Sequence, residues 1–578
     1  MNEFKITGIE DLPKTELVRR CEDLPIDPEN PYAPIHAGRH KGRVAGLDGT
    51  DHSYEFYIPS NEVPGGPTVY VFCPSGITAA EFFDKYHWQR RLEAYATAGC
   101  FLEAPDGYDL QGSGMEWISQ IFQEMRDGQF YSAGEQCLSV IGIGDGAYPA
   151  AVFSLRNSGT LASFAVCGNK FPALDVLETI GELPTERVPE QKRKESAIPA
   201  YVISEDLSEN AEELIQYLKK ANHVSEEEWH LGETRVYRQK RAGKAWSPDD
   251  AAVSEVWIGV KDSQEEEIQE EMLKFVRRFR RWGNTGNGDI RRYRTPEDMG
   301  LVRHEMYFGG LKRHWYFYEP TWHKKHPEEK LPLVIAMHGF SASGLLFAEE
   351  SGWSELAEER HFLVAFPTAY PFRRQNISPV FSMFALCPTW KSYPAEEKKE
   401  SPDDVAFLCE MTDWLKRHYK VDESRIYVSG HSNGSVMTQA LMRYAPHRFA
   451  AFAPIGAMEL LLKEAEPLPE HEIKRPVWLI MGENDGAEGW SLENGTANDR
   501  TIRMLCEANE TDYENAKHYV CGGYHHLVTY DKDQIPYLRF TGIAGWPHTV
   551  TPSSSRMIYD EFFCHFRRKE DGSSEYLG

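Results

Sequence analysis

The chain repeats itself once, and that repeat constrains its architecture more than any other feature of the 578 residues. HSYEFYIP, at residues 52–59, is echoed by RHWYFYEP at 313–320. The apolar run TVYVF followed by CPSG matches LVIAM followed by HG, which sets Ser75 opposite His338. CFLEAPDGY matches FLVAFPTAY, with Pro105 against Pro367. SVIGIGDGAYPAA matches YVSGHSNGSVMTQA, and the following LASFAVCG pairs with FAAFAPIG, Phe164 with Phe452 and Gly168 with Gly456. LKFVRRFRR and DEFFCHFRR close the two copies, Phe279 against Phe566. Landmarks this widely separated, in one order, mark a duplicated unit. The expected division is an N-terminal extension (1–40), a first copy (41–283), a linker (284–296) beside the Gly/Asn-rich WGNTGNGD, and a second copy (297–578).

Each copy alternates short apolar runs with helical stretches. PLVIAM and PVWLIM are apolar throughout, the pattern of strands buried on both faces. Val405, Leu408, Met411 and Leu415 recur at helical spacing before the β-rich RIYVSG. Such alternation predicts an α/β class: in each copy a mostly parallel sheet with helices on both sides.

RIYVSGHSNGSVMTQALM reads as strand, sharp turn and helix around Gly430-His431-Ser432-Asn433-Gly434. In that setting G-x-S-x-G presents a nucleophilic serine above the sheet edge, with the Asn433 N–H at a helix start as an oxyanion donor. A serine attacks only when a histidine accepts its proton and a carboxylate orients that histidine. Past the strand PVWLIM, Asp485 is the candidate acid, with Glu483 and Asp499 as alternatives. His548, in GWPHTVTP before the last helix, is the candidate base; His525 and His526 sit in a strand-like run and read as structural. Those adjacent histidines also invite a zinc reading, but no third ligand has suitable spacing, so no metal and no cofactor is expected. A second oxyanion donor is expected in the turn His338-Gly339-Phe340, from the Phe340 N–H.

Taken in order, PLVIAMHGFSASG, GWSELAEERHFLVAFP, DDVAFLCEMTDWL, VDESRIYVSGHSNG and MGENDG resemble the α/β-hydrolase esterases grouped with polyhydroxybutyrate depolymerases and feruloyl esterases. The resemblance covers 331–568. It implies two tandem α/β-hydrolase-like domains and carries Ser432, Asp485 and His548 over as the triad. Phe340 stands where these esterases often have cysteine, which points away from solid polymer and toward a soluble ester, aromatic (feruloyl-type) or hydroxyalkanoate.

The first copy lacks the chemistry. Gly144 replaces Ser432, Lys261 falls opposite His548, and the acid position falls at Ser208. The second copy gains two segments. One, between Pro367 and Gly430, contains Phe372, Arg373, Arg374, Phe381, Phe384, Trp390 and Tyr393; the other follows Asp485 and contains Trp490. Both follow strand ends near catalytic positions, where substrate loops are expected. Phe384, Trp390, Trp490, His338, Gly339 and His431 are therefore the expected substrate contacts. The alternatives are a peptidase or acyltransferase using the same triad, and a non-catalytic scaffold.

Composition narrows the partners. A net charge of −26 argues against nucleic acid or anionic membrane. No apolar run is long enough to span a bilayer, and residues 1–20 lack a signal-peptide core. Ten cysteines without a C-x-x-C pair fit a reducing compartment. The expectation is a cytoplasmic enzyme of small ester substrates whose two domains pack together, with homo-oligomers possible.

Overall fold

In the computed structural model the described residues are 17–20, 37–46, 49–60, 66–108, 115–127, 136–185, 188–239, 253–261, 266–281, 290–373, 386–392, 403–458, 468, 473–486 and 488–578. The chain divides into two compact units, residues 1–293 with 373–386, and 294–372 with 387–578. The boundary after Tyr293 falls inside the segment read as a linker. Part of that segment, Ile290–Arg292, is a strand paired antiparallel with Phe279–Arg281.

The first unit carries ten strands that the second repeats. They are β1 (Gly38–Ala45), β2 (Asp51–Ile58), β3 (Thr68–Phe72), β4 (Ala98–Leu102), β5 (Leu138–Ile143), β6 (Ser163–Cys167), β7 (Ala200–Ser204), β8 (Val224–Leu231), β9 (Thr234–Gln239) and β10 (Glu255–Val260). The second unit has β11 (Leu301–Phe308), β12 (Leu311–Tyr318), β13 (Leu331–Met337), β14 (Leu363–Pro367), β15 (Val421–His431), β16 (Ala451–Ile455), β17 (Val477–Asn484), β18 (Lys517–Cys521), β19 (Tyr524–Thr529) and β20 (Leu538–Pro547). The sheet orders are β1-β2-β4-β3-β5-β6-β7-β10-β9-β8 and β11-β12-β14-β13-β15-β16-β17-β20-β19-β18. One order is the other with ten added to every label. The first sheet carries one further strand, Leu17–Arg20, outside β1. In both, the six central strands are parallel and the outer pairs antiparallel. These are two tandem α/β-hydrolase-like domains.

Strand register corrects the sequence alignment in two places. Tyr70 pairs with Cys100 and Val140, as Ile335 pairs with Ala365 and Val428. Cys73 therefore occupies the place of His338, Ser75 that of Phe340, and Leu102 that of Pro367. Matching Gly76 to Gly339 by residue type had slipped the alignment; Gly76 (φ +75°) takes the place of Ser341 (φ +62°). Likewise β7 pairs Ala200 with Val256 as β17 pairs Val477 with Leu538, so Lys261 lies in register with Ile543 rather than His548. The strand β20 runs on to Pro547, whereas β10 stops at Val260, and the longer strand is what carries a histidine forward.

The second unit's core shows why its strands hold. Leu333, Ile335 and Met337 project from one face of β13 into a cluster with Val405, Leu408, Met411 and Leu415 of the helix α1 (Asp404–His418). Each such side chain contributes about 1.5–3 kcal/mol by leaving water. Asp403 caps α1 by accepting from the Ala406 N–H at 2.8 Å. Arg313 and Asp404 form a fully buried ion pair at 2.6 Å, and Asp404 also accepts from the Lys391 N–H at 2.7 Å. Burial pushes the Asp404 carboxyl up against the opposing pull of Arg313.

Candidate active site

The site lies at the carboxyl ends of the central parallel strands of the second unit, where open α/β sheets place ligands. Ser432 follows β15 directly and starts the helix α2 (Asn433–Tyr444). Its backbone is at φ +55°, ψ −116°, a strained conformation for a residue with a Cβ. The Ser432 N–H donates to Ile455 O at 2.8 Å, which holds the turn against β16. Gly430 and Gly434 make this possible, since a Cβ on Gly430 would overlap Gly434 and one on Gly434 would overlap the Met337 carbonyl. Asn433 is the first residue of α2, where N–H groups have no partner within the helix.

Asp485 and His548 meet because of register. β17 and β20 pair Asn484 with Pro547 across a bulge, so the next residue of each strand emerges beside the other. His548 Nδ1–H donates to Asp485 Oδ1 at 2.6 Å. The Asp485 side chain is only 7 % exposed while that of His548 is 44 % exposed, so the imidazole has one edge open to a reactant. The residue that makes room was not singled out for the site in the sequence. Gly456, at φ +77°, sits where a Cβ would lie 3.1 Å from Asp485 Oδ2, 3.2 Å from His548 Cε1 and 3.3 Å from His431 Cδ2. Its signal in the sequence is the matched FAAFAPIG landmark, which pairs Gly456 with Gly168.

The alternative acids are occupied elsewhere. Glu483 accepts from the Gly545 N–H at 2.7 Å. Asp499 accepts from the Gly495 N–H, the Tyr513 hydroxyl and Arg503 around the start of the helix α3 (Ala497–Asn509). His526 bonds to Thr541 Oγ1 at 2.8 Å within the sheet, and His525 packs on Trp490 at 4.5 Å between ring centroids. Among the described residues no group of three or more His, Cys, Asp or Glu is disposed to hold a metal ion.

The turn after β13 brings Gly339 against Ser432, and a Cβ there would lie 3.3 Å from Ser432 Cβ. His338 is fully buried; its Nδ1–H donates to Gly339 O at 2.6 Å and its Nε2 accepts from the Ala369 N–H at 3.0 Å. Burial lowers its pKa to about 4. His431 is buried, lies 4.6 Å from the His548 ring, and has no partner for Nε2; burial, and then the charge of a protonated His548, hold it well below the usual histidine range. These neutral histidines have a consequence for stability. An unfolded histidine takes up a proton near pH 6.5, and His338 in the fold resists until about 4. The stability it contributes is present above pH 6.5 and lost as the pH falls toward 4, by about 3 kcal/mol. Urea unfolding at pH 7 and pH 4.5 is expected to show this loss, and His338→Asn to reduce the difference.

The expected pocket walls are placed differently. Trp390 is buried, not lining an open wall; its Nε1–H donates to His338 O at 3.0 Å and its N–H to Asn433 Oδ1 at 2.7 Å. The reason is that an indole donor finds a carbonyl beneath it in the turn. Trp490 lies flat over Gly542 of β20, filling the space a Cβ would take. Phe384 lies outside the described residues, as do Arg374, Phe381 and Tyr393 and the side chains of Phe372 and Arg373.

In the first unit the elbow persists without its serine. Gly144 has φ +63°, and a Cβ on Gly146 would meet the Phe72 carbonyl just as one on Gly434 would meet that of Met337. Asp145, in the place of Asn433, accepts from the Ser75 N–H at 2.8 Å. The N–H equivalent to that of Phe340 is thus taken by a carboxylate. Lys261 pairs with Glu271 at 2.7 Å and Ser208 caps a helix by accepting from Ala211. Restoring the serine alone, Gly144→Ser in a Ser432→Ala background, is expected to leave ester turnover at the Ser432→Ala level; a gain above about tenfold would contradict this.

Residues 309–526 match the family Esterase, described as "Putative esterase". The chain is 30% identical over 125 residues to poly(3-hydroxyalkanoate) depolymerase C of Paucimonas lemoignei, covering 22% of this chain and 27% of that protein. It is 22% identical over 233 residues to the bifunctional acetylxylan esterase/xylanase XynS20E of Neocallimastix patriciarum, covering 40% and 30%. A solved structure of acetyl xylan esterase from Aspergillus awamori aligns at 15% identity and TM-score 0.31, over 46% of this chain and 99% of that one. The chain spans between about a quarter and two fifths of the length of the curated relatives it matches. The second unit, with its strand–Ser432–helix elbow on this sheet, is similar to the α/β-hydrolase esterases of the polyhydroxybutyrate depolymerase and acetylxylan esterase group.

Proposed function

We propose that the chain is a serine carboxylic-ester hydrolase working through an acyl-enzyme in its second unit. Ser432 is the nucleophile, His548 its general base, Asp485 the group that orients and charges the base, and the N–H groups of Phe340 and Asn433 bind the oxyanion. The observation that carries this is the 2.6 Å His548–Asp485 hydrogen bond, with the His548 ring 4.6 Å from that of His431, the residue before an elbow serine at φ +55°. His548 takes the Ser432 proton as the hydroxyl attacks the ester carbonyl. It then gives that proton to the departing alcohol, and water completes the reverse sequence on the acyl-enzyme. The substrate class proposed is a soluble carboxylic ester: acetyl or hydroxyalkanoate on the strength of what the relatives are named for, and feruloyl-type on the sequence resemblance. A panel of acetyl, hydroxycinnamoyl and 3-hydroxybutyrate esters, with a matched amide, tests it. Turnover of at least one ester and none of the amide is expected; faster amide cleavage would favour a peptidase.

A further inference from the structure

We infer that His338 is a positioning residue that aims the Phe340 N–H at the oxyanion; this rests on the esterase reading of Ser432. A trans peptide is planar, with C=O and N–H pointing in opposite directions, so fixing a carbonyl fixes the amide on the same peptide. Gly339 O and Phe340 N–H share one peptide, and the His338 Nδ1–H holds that carbonyl at 2.6 Å. The imidazole cannot rotate or exchange tautomer freely, because its Nε2 is committed as acceptor to the Ala369 N–H at 3.0 Å. Full burial keeps it neutral down to a pKa of about 4, so the clamp is one tautomer across the working range of a serine esterase.

The two copies separate this clamp from architecture. One peptide earlier, Trp390 Nε1–H holds His338 O at 3.0 Å, and in the first unit the Tyr108 hydroxyl holds the equivalent Cys73 O at 2.8 Å. Ser341 N–H reaches Pro388 O as Gly76 N–H reaches Pro105 O. Those contacts survive in the copy that has no nucleophile, so they belong to the fold. The imidazole clamp does not survive: Cys73 stands in the place of His338, and its thiol turns back toward Val71 O. The copy that lost its serine also lost the clamp and has a carboxylate on the N–H the clamp would aim.

Asparagine can place an amide donor near the Nδ1 position, whereas glutamine can reach only the Nε2 position. His338→Gln and His338→Asn in the full chain therefore divide the two functions of the ring. Each variant is titrated with a fluorophosphonate so that kcat is counted per reactive Ser432, and the Ki of a trifluoromethyl ketone analogue of the substrate is measured beside KM. His338→Gln is expected to lower kcat by about tenfold or more and weaken the ketone in parallel, with KM within about threefold. His338→Asn is expected to recover most of both. Unchanged kcat and ketone binding in His338→Gln, or equal loss in the two variants, would overturn the proposal. Failure of the wild-type chain to react at Ser432 would instead overturn the esterase reading beneath it.

Discussion

Ser432→Ala is expected to lower ester turnover by roughly 10³-fold or more while leaving thermal stability within about 1 kcal/mol of the parent. The covalent route disappears with the hydroxyl, whereas the oxyanion donors and the Asp485–His548 pair remain to give a small residual rate. Folding has little to lose, because the serine sits at a turn whose backbone at φ +55° is already strained. Removing the strain altogether, as in Ser432→Gly, is expected to stabilise the protein slightly and abolish activity equally. Initial rates on the best ester of the panel, together with a thermal melt, check both. Activity retained within tenfold would contradict the assignment.

His548→Ala and Asp485→Asn are expected to cost about 10³- to 10⁴-fold in kcat, by different routes. The alanine removes the base. The asparagine keeps the shape but is uncharged and can turn its amide N–H toward the Nδ1 that now donates to Asp485 Oδ1 at 2.6 Å, so the ring is held in the wrong tautomer and the imidazolium loses its counter-charge. His526→Ala is expected to leave kcat within about tenfold of the parent, since His526 is tied to Thr541 inside the sheet. The reverse result would move the base to His526.

The elbow was legible in the sequence because its chemistry is local. Two glycines, a serine, a strand before and a helix after are contiguous, and the duplication was readable from side chains that keep their order, such as Phe164 with Phe452. What sequence spacing could not supply was register. CPSG and MHGFS were aligned on their glycines, yet Gly76 and Ser341 are the residues that share a left-handed backbone, which moves Ser75 onto Phe340. Lys261 was set against His548 by counting back from the last helix, which hides the longer reach of β20. The outer antiparallel hairpins, β8–β9 and β18–β19, interrupt the strand–helix alternation that predicted a mostly parallel sheet. The sequence points to Trp390 as a substrate contact because its segment follows a strand end near the catalytic positions. Its two hydrogen bonds, to His338 O and Asn433 Oδ1, depend on contacts that only the folded chain creates.

The most direct test of the central claim is the site of covalent modification. The full chain is treated with a fluorophosphonate, digested, and mapped by mass spectrometry while ester hydrolysis is followed in parallel. One adduct per chain is expected, on the peptide carrying Gly430-His431-Ser432-Asn433-Gly434, appearing at the rate at which activity is lost. An adduct on any residue of the first unit, or full loss of activity with Ser432 unmodified, would contradict it.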